Sequence, residues 1–479
     1  MSELFSEAER IADSIPFELL KANGIFLDRV RDNPEAPRYF LAYGDWARVS
    51  PAEIFHFLPC DSSRDTELYV DFPFCPTICN FCAFYPVRPG NYGEMADYIK
   101  SLKVEISLLK NLYFDRGYAV ETMELGGGTP TFLPLDLLTD ALMTILDAFP
   151  FKPGGEHSFE TTPEAILDAD GPAKAEFLRR TAGFDRISIG AQSFSNKVLA
   201  ASNRSHDSLQ IRDAFQAARS LGFERINLDL LLGLLDQTLP DFIESVVKSI
   251  ELGADIVEIY AMRYFDTKKP VPLTRRYVEQ PSRFLSERDL LIGKIAADLV
   301  LRRAGYTSHN GRTYQKQDSN KEYYSDYYKG NFQGKNILGI GRKSFSRIHN
   351  WQYANYSNLD KYGSALEGGR LPIAAGCKLD DRALLASRLT GALQMSDVLN
   401  WDLIGEDFDL TLRDEFDCIL RAFVNCGLMT GSGTGSFEKT SIGFFFVEEM
   451  LKAVYDLGVT PFNAATPFLG KPQRASVNN

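Results

Sequence analysis

The sequence predicts a partial α/β barrel, on three observations. From Tyr69 to about Met262, short β-branched or apolar runs alternate with longer helix-periodic segments. Six such β-then-α units follow one another. The unusual residue groups all fall where a strand candidate gives way to its loop. Consecutive βα units build a parallel sheet covered by crossover helices. Six are too few to close an eight-stranded barrel, and in such architectures functional groups gather at the C-terminal strand ends. The expected class is therefore α/β: a partial (β/α)6 barrel with a helical N-terminal extension and a mostly helical C-terminal domain. The expected boundaries are 1–65, 66–305, 306–376 and 377–479.

Residues 1–65 read as helix and loop, broken at "DNPEAPR" and "VSPAE". The strand candidates follow as "LYVDF", "TMELGG", "SFETT", "RISIGAQ", "RINLDLLLG" and "DIVEIYAM". Between them lie helical patterns such as "MADYIKSLKVEISLLKNL" and "LPDFIESVVKSIELG", in which apolar residues recur at helical spacing. A further helix, "SERDLLIGKIAADLVLRRAG", closes the barrel region. Residues 306–376 are mixed, a lid or linker with the Tyr-rich "QDSNKEYYSDYYKGN" and the strand-plus-turn "NILGIGRKSFSRI". The remainder is mainly helical, with a hairpin at "LMTGSGTGSFEKT" as in a small winged-helix module.

The chain of 479 residues is 44% hydrophobic and 24% charged, with a net charge of -12. That balance argues against a broad nucleic-acid or anionic-membrane surface. The N-terminus is acidic and lacks the basic and apolar regions of a secretory signal. Apolar runs such as "LLLGLL" fall short of the ~18 residues a membrane span needs. The expected location is cytoplasmic, with neither nucleic acid nor membrane as partner. Seven cysteines, an odd number, speak against a disulfide framework. Cys60, Cys377, Cys418 and Cys426 are scattered, whereas Cys75, Cys79 and Cys82 crowd into "FCPTICNFC" with spacing C-x3-C-x2-C.

Packed thiols or part of a zinc site would be the plain explanations. Structural zinc usually takes four ligands in two C-x2-C-type pairs, and no second pair exists. A loop interrupted by Pro76, Asn80 and Pro86 is a poor place for packed thiols. The alternative is a [4Fe–4S] cluster, whose expected ligands are thiolates. Three ligands leave one iron open to a substrate or cofactor. Here the sequence resembles the radical S-adenosylmethionine (SAM) superfamily, and the implied fold is a partial radical SAM barrel. The resemblance implies that SAM chelates the open iron and is cleaved by one electron to methionine and a 5′-deoxyadenosyl radical. It also implies an electron donor such as a flavodoxin or ferredoxin, and puts Phe81 at the adenine.

The other strand ends agree. In "ELGGGTPT", Gly126, Gly127 and Gly128 leave backbone N–H groups open to a carboxylate or amine, although a tight turn alone would explain them. Glu160 in "FETTP" suits ribose hydroxyls or an amine, or a surface. Arg204 suits a carboxylate fork, or a helix-surface charge. Together the motifs resemble the oxygen-independent coproporphyrinogen oxidase group: Y-x-x-x-P-F-C-x3-C-x-F-C, GGGTPT, GxQSF…R-x-H and D-L-x-x-G-L-x-x-Q-T. By that resemblance Tyr69, Gly127, Thr129, Glu160, Gln192, Arg204 and Asp229 line the SAM pocket. Gly339 and Ile340, in a second glycine turn, would approach a second SAM, with a structural turn as the alternative.

The departures narrow the function. The oxidases of the group carry a further cysteine where this chain has Phe84, a His at Asp71 and a Pro at Leu235. The C-x-F ending is shared with a haem chaperone and with class C radical SAM methyltransferases and cyclopropanases. The latter use two SAM molecules at once, and transfer a methylene-derived carbon to an sp2 carbon of the substrate. That reading is preferred here, with a small natural product, aromatic or polyunsaturated, as substrate. The alternatives are the haem chaperone, with His309, His349 and Cys377 as candidate ligands, and a porphyrin-modifying enzyme. Asp71 and Glu258 are candidate bases by strand position. Tyr323, Tyr324, Tyr327 and Tyr328 form a candidate aromatic lid or, more plainly, a packing hairpin.

Overall fold

The computed structural model describes residues 1–23, 25, 30–31, 46–56, 58, 65–265, 271–318, 325–431 and 435–459. Each expected βα unit supplies one strand: β1 Asp65–Phe72, β2 Ala119–Gly127, β3 His157–Thr161, β4 Arg186–Gln192, β5 Arg225–Leu232 and β6 Ile256–Ala261. They lie side by side in chain order, all parallel. Outward residues such as Leu68, Val70, Leu125, Ile187, Ile189 and Leu228 are fully buried. They form one core with Ile99 and Leu102 of helix Tyr92–Leu112 and with Leu138 and Leu142 of helix Leu135–Ala148. Each such side chain contributes about 1.5–3 kcal/mol. Helix starts are fixed locally, as at Asp207, which accepts from the N–H groups of Leu209 and Gln210 while Gln210 reaches back to its own N–H.

The sheet does not stop at six strands. Beyond β6 run β7 Tyr306–Thr307 and β8 Thr313–Lys316, with β8 antiparallel to β6. On the opposite flank β9 Asn336–Ile340 lies parallel beside β1 and continues through β10 Phe345–Ile348, β11 Trp351–Asn355 and β12 Ile373–Lys378. The result is one 12-stranded sheet. Residues 306–376, read from sequence as lid or linker, thus supply strands to both flanks. The apolar run Ile337, Leu338, Ile340 is buried because it completes the far side of β1.

The Tyr-rich segment also sits elsewhere than a lid would. Tyr323 and Tyr324 lie outside the described residues. Helix Asp326–Phe332 closes the N-terminal end of the barrel, opposite the cysteine loop. Ser325 donates to Glu156 just ahead of β3 (2.7 Å), Asp326 pairs with Arg225 at the start of β5 (3.4 Å), and Gly330 abuts Glu67. Polar flanks at Ser325 and Asp326 match the charged strand starts, so the segment seats there with Tyr327 and Tyr328 directed into the barrel.

Helix Ser2–Asp13 lies along the outer helix Glu287–Arg303, held by Arg303 to Glu7 (2.6 Å) and Arg288 to Asp13. This first helix therefore joins the helical layer, while Val30–Arg31 pairs with Tyr264–Phe265 just past β6 and Ala47 bridges Gly376 of β12. The C-terminal module has helices Asp381–Met395, Leu410–Asn425 and Val447–Val459. Its small sheet comprises β13 Val398–Asn400, β14 Met429–Gly431 and β15 Ser436–Lys439, with β15 central. Arg263, just past β6, anchors the module through Glu448 and Glu449. Among the described residues no helix is long and apolar enough to cross a membrane.

Candidate active site

The loop after β1 is built by backbone bonds. The N–H of Cys75 donates to the Val87 carbonyl (3.0 Å), and that of Val87 to the Pro73 carbonyl (2.7 Å). Asn203 donates to the Ile78 carbonyl (2.8 Å), and the N–H of Asn80 to the Ser202 carbonyl (3.2 Å). All three thiols are free and half-buried. Cys75 Sγ is 3.4 Å from Thr129 Oγ1, Cys79 Sγ accepts from Arg204 Nη1 at 3.2 Å, and Cys82 accepts from the Phe84 N–H. As thiols, burial pushes Cys75 up to about 12 and Cys82 up to about 11.

Among the described residues no group of three or more His, Cys, Asp and Glu side chains is disposed around a single ion. A tetrahedral zinc site would need that convergence. An iron–sulfur cluster needs something else, because its cysteines bind separate irons around a larger body. Three soft donors on one pinned loop, with hydrogen bonds already reaching the sulfurs, fit the cluster.

The glycine turn closes onto this loop. The N–H groups of Gly128 and Thr129 donate to the Phe72 and Phe74 carbonyls (2.8 and 2.9 Å). A Cβ at Gly128 would sit 2.6 Å from the Phe74 oxygen, and Gly127, at φ +98°, would press one into the Asp71 carboxylate. Close approach therefore requires glycine here. The Gly127 N–H in turn bonds the Glu160 carboxylate, so turn and ligand-facing group are one feature.

Inside the barrel a small cavity of about 20 Å³ is lined by Glu124, Glu160, Arg186, Asp229, Glu258 and Tyr328, among others. Strand register brings them together: Tyr69 pairs with Glu124, Glu124 with Ser158, Ser158 with Arg186, and Asp229 with Glu258. Asp229 accepts from Ser188 (3.0 Å) and Asn227 (2.7 Å). Glu258 accepts from Thr313 (2.9 Å) and Tyr260 (2.7 Å). Burial, reinforced by neighbouring carboxylates, pushes Glu160 up to about 8 and Glu124 well above the usual range. Burial and the charge of Glu258 push Asp229 up to about 7. Asp71 is likewise raised by burial to about 7, against the pull of Arg342 and Lys343, and its Oδ2 is buried without a hydrogen-bond partner.

The remaining expected residues are placed as follows. Tyr69 is packed between Gly126 and Tyr327. Gln192 ends β4 at φ +65°, with its amide beside Gly190. Phe81 packs on the satellite core around Leu235 and Phe284. Arg204 donates to Cys79 and to the Gly190 carbonyl (2.6 Å), with Nε buried and unpartnered. His206 lies 3.4 Å from Arg204 Nη2 and pairs with Glu164 (2.9 Å). Burial would raise Glu164, but the His206 hydrogen bond and the Arg204 charge hold it at about 2.

Gly339 and Ile340 sit in β9 opposite Tyr69 and Val70. The Gly339 N–H is taken by Ser346 (2.9 Å), and a Cβ there would strike the Phe345 carbonyl oxygen. The turn proper is Gly341, at φ +94°, whose N–H donates to buried Glu105 (2.8 Å). The candidate haem ligands are scattered. His309 pairs with Asp397 near β8, His349 bonds Tyr118 (2.7 Å), and Cys377 is buried in β12 at the other flank of the sheet.

Glu124 and Arg186 were missed by reading only strand ends. The signal was the polar–apolar alternation inside the strands, as in "TMELG", "SFE" and "RISIG". Its polar phase is the barrel interior.

Comparison with known proteins agrees with this geometry. The Radical SAM superfamily model matches residues 69–247. The oxygen-independent coproporphyrinogen III oxidase of Pseudomonas aeruginosa is 30% identical over 340 residues, 66% of this chain and 69% of that one. That of Helicobacter pylori is 28% identical over 402 residues, 80% and 84% of the two chains. The heme chaperone HemW of Mycobacterium tuberculosis is 28% identical over 342 residues, 70% and 83%. Among solved structures, coproporphyrinogen III oxidase (HemN) from Escherichia coli superposes with a TM-score of 0.75 at 21% identity, over 90% of this chain and 99% of that one.

Proposed function

This chain belongs to the radical SAM superfamily, in its oxygen-independent coproporphyrinogen oxidase-like group, and on that premise we propose that it transfers a SAM-derived carbon to an sp2 carbon of a small substrate. Its cofactors are a [4Fe–4S] cluster and SAM, and it requires a reductant. When bound, they supply a carbon-centred radical able to abstract hydrogen. Cys75, Cys79 and Cys82 hold the cluster. Tyr69, Phe81, Gly126, Gly127, Gly128, Thr129, Glu160, Gln192, Arg204 and Asp229 serve SAM, with Gly339 and Ile340 backing the site from β9.

The acidic wall of the cavity carries the reading. Glu124, Glu160, Asp229 and Glu258 face one arginine, Arg186, whose charge is already shared with Glu156, Glu258 and Glu124. SAM carries a sulfonium and an ammonium beside its own carboxylate, and those cationic groups suit such a wall. Raised carboxyls give up protons as cations arrive. Asp71 is the better candidate base, since its Oδ2 is open while Glu258 is engaged by Thr313 and Tyr260.

A second reading is porphyrinogen oxidation or haem handling, and the named relatives speak for it more directly than for carbon transfer. The two separate in one assay. Anaerobic reconstituted enzyme, reduced with dithionite and given SAM, is analysed by mass spectrometry. Carbon transfer predicts both 5′-deoxyadenosine and S-adenosylhomocysteine. Deoxyadenosine formation driven by coproporphyrinogen III, without S-adenosylhomocysteine, would install the oxidase reading instead. Tight stoichiometric haem binding with no SAM cleavage would install the chaperone.

A further inference from the structure

β4 ends irregularly beside the cysteine loop. In a regular strand successive carbonyls point to opposite edges. Between Ile189 and Gln192, however, the pairing of β4 with β5 shifts register, and Gln192 stands at φ +65°. Two successive carbonyls consequently serve one neighbouring turn. The Gly190 oxygen accepts from Arg204 Nη2 (2.6 Å), and the Ala191 oxygen faces His206 Nε2 (3.3 Å). Irregularities of this kind re-aim groups beside active sites.

A line of side chains runs from that turn to the cysteine loop. Glu164, on the short helix Pro163–Leu167, accepts from Ser205 (2.7 Å) and pairs with His206 Nδ1 (2.9 Å). The same Nδ1 lies 3.4 Å from Arg204 Nη2, and Arg204 Nη1 reaches Cys79 Sγ (3.2 Å). His206 is buried, with a carboxylate at one ring nitrogen and a carbonyl at the other, so its ring is fixed in place. The next acid along the turn, Asp207, is spent on the N–H groups of Leu209 and Gln210. Glu164 is therefore the acid that faces the Arg204–His206 pair.

We propose that Glu164 and His206 are positioning residues for Arg204, setting where its guanidinium stands and, through it, the cluster's potential and the hold on SAM. The proposal rests on Cys79 as a cluster ligand and on Arg204 as a SAM residue. An arginine side chain has many rotamers to lose, and one carbonyl bond at Nη2 does not aim Nη1. The fixed imidazole, braced by Glu164, supplies the second constraint. Arg204 Nε remains buried and unpartnered, a donor still open to a ligand carboxylate.

The test uses reconstituted enzyme with Glu164→Gln, His206→Asn or Arg204→Gln, and each of the first two combined with Arg204→Gln. The readouts are the midpoint potential by spectroscopic redox titration and SAM affinity by calorimetry. Glu164→Gln is decisive because two explanations give opposite signs. Loss of a nearby anion alone makes the cluster easier to reduce, moving the potential to more positive values. Loss of Arg204 positioning moves it to more negative values, as Arg204→Gln does. We expect the negative shift in both single variants, with SAM binding weakened about tenfold. Added to Arg204→Gln, neither substitution should lower the potential or the affinity further. A positive shift in Glu164→Gln, or losses that add in the double variants, would overturn the proposal. Should His206→Asn fail to fold, the half-exposed Glu164→Gln decides by itself. A wild type with no reducible cluster would instead overturn the cluster reading beneath.

Discussion

At its C-terminal end the barrel carries the cysteine loop, glycines packed onto it, and carboxyls such as Asp71 with an oxygen left unbonded. At its N-terminal end the comparable charges are answered: Glu156 by Arg225 (2.5 Å) and Ser325, Lys335 by Glu121 (2.5 Å), Lys329 by Asp326. Both ends bury ionisable groups at a cost in desolvation. The N-terminal end recovers more of that cost within the protein, although Glu67 there also keeps a buried oxygen without a hydrogen bond. The other keeps its polar groups ready for a ligand, and the difference separates residues that hold the fold from residues that serve the reaction.

Substitutions at the two ends should therefore fail in different ways. The largest effect is expected from Cys79→Ala, which should abolish bound iron and SAM cleavage while changing the urea stability of the cluster-free chain by less than about 1 kcal/mol. Arg225→Ala, at the other end, removes the hydrogen-bonded cation from Glu156, leaving it Arg186 and Ser325, and should cost about 1–3 kcal/mol in urea unfolding. SAM cleavage per intact cluster should be unchanged in that variant. Equal losses of activity in both would erase the distinction between the ends. Asp229→Asn should weaken SAM binding about tenfold or more, the value of a charge-assisted hydrogen bond, without destabilising the ligand-free chain. Calorimetric titration with SAM checks it.

The pH dependence sharpens the same contrast. Glu160 at about 8 and Asp229 and Asp71 at about 7 hold protons more tightly folded than unfolded. The folded chain therefore binds more protons between about 4 and 8, and its ligand-free stability should fall as pH rises through that window. Glu160→Gln should flatten the slope of melting temperature against pH. A slope of the opposite sign would mean that these carboxyls are ionised in the folded chain. The smallest effect is expected at Arg204→Gln. Loss of the hydrogen bond to Cys79 removes positive charge from the cluster's edge and should shift its midpoint potential to more negative values, read by a spectroscopic redox titration.

What could be read from sequence followed the range of each signal. The C-x3-C-x2-C spacing and the βα alternation are local, and the barrel and the cysteine loop emerge where they predict. The partner of β9 is not local: nothing in "NILGI" names Thr66 to Val70 as its neighbours, so the strand was legible and its place was not. The Tyr-rich segment suggested a packing hairpin or, because aromatic residues suit ligands, a lid. Its position was decided instead by Ser325 and Asp326 finding Glu156 and Arg225. Arg204 was singled out by its motif, but its hydrogen bond to Cys79 depends on a turn that only the fold creates. Glu124 and Arg186 carried a readable alternation that attention to loop residues passed over.

The pairing of β9 with β1 also sets an order of events during synthesis. The strand that carries the cysteine loop begins at Asp65, and the partner that covers its second edge ends only at Ile340. On the ribosome, β1 therefore spends the making of roughly 270 further residues with one row of N–H and C=O groups unpaired, at about 5–20 residues per second. Chains released before residue 336 should keep that edge and aggregate through it. The cysteine loop, at the end of the same strand, has a finished foundation only when the second half of the protein has folded against it.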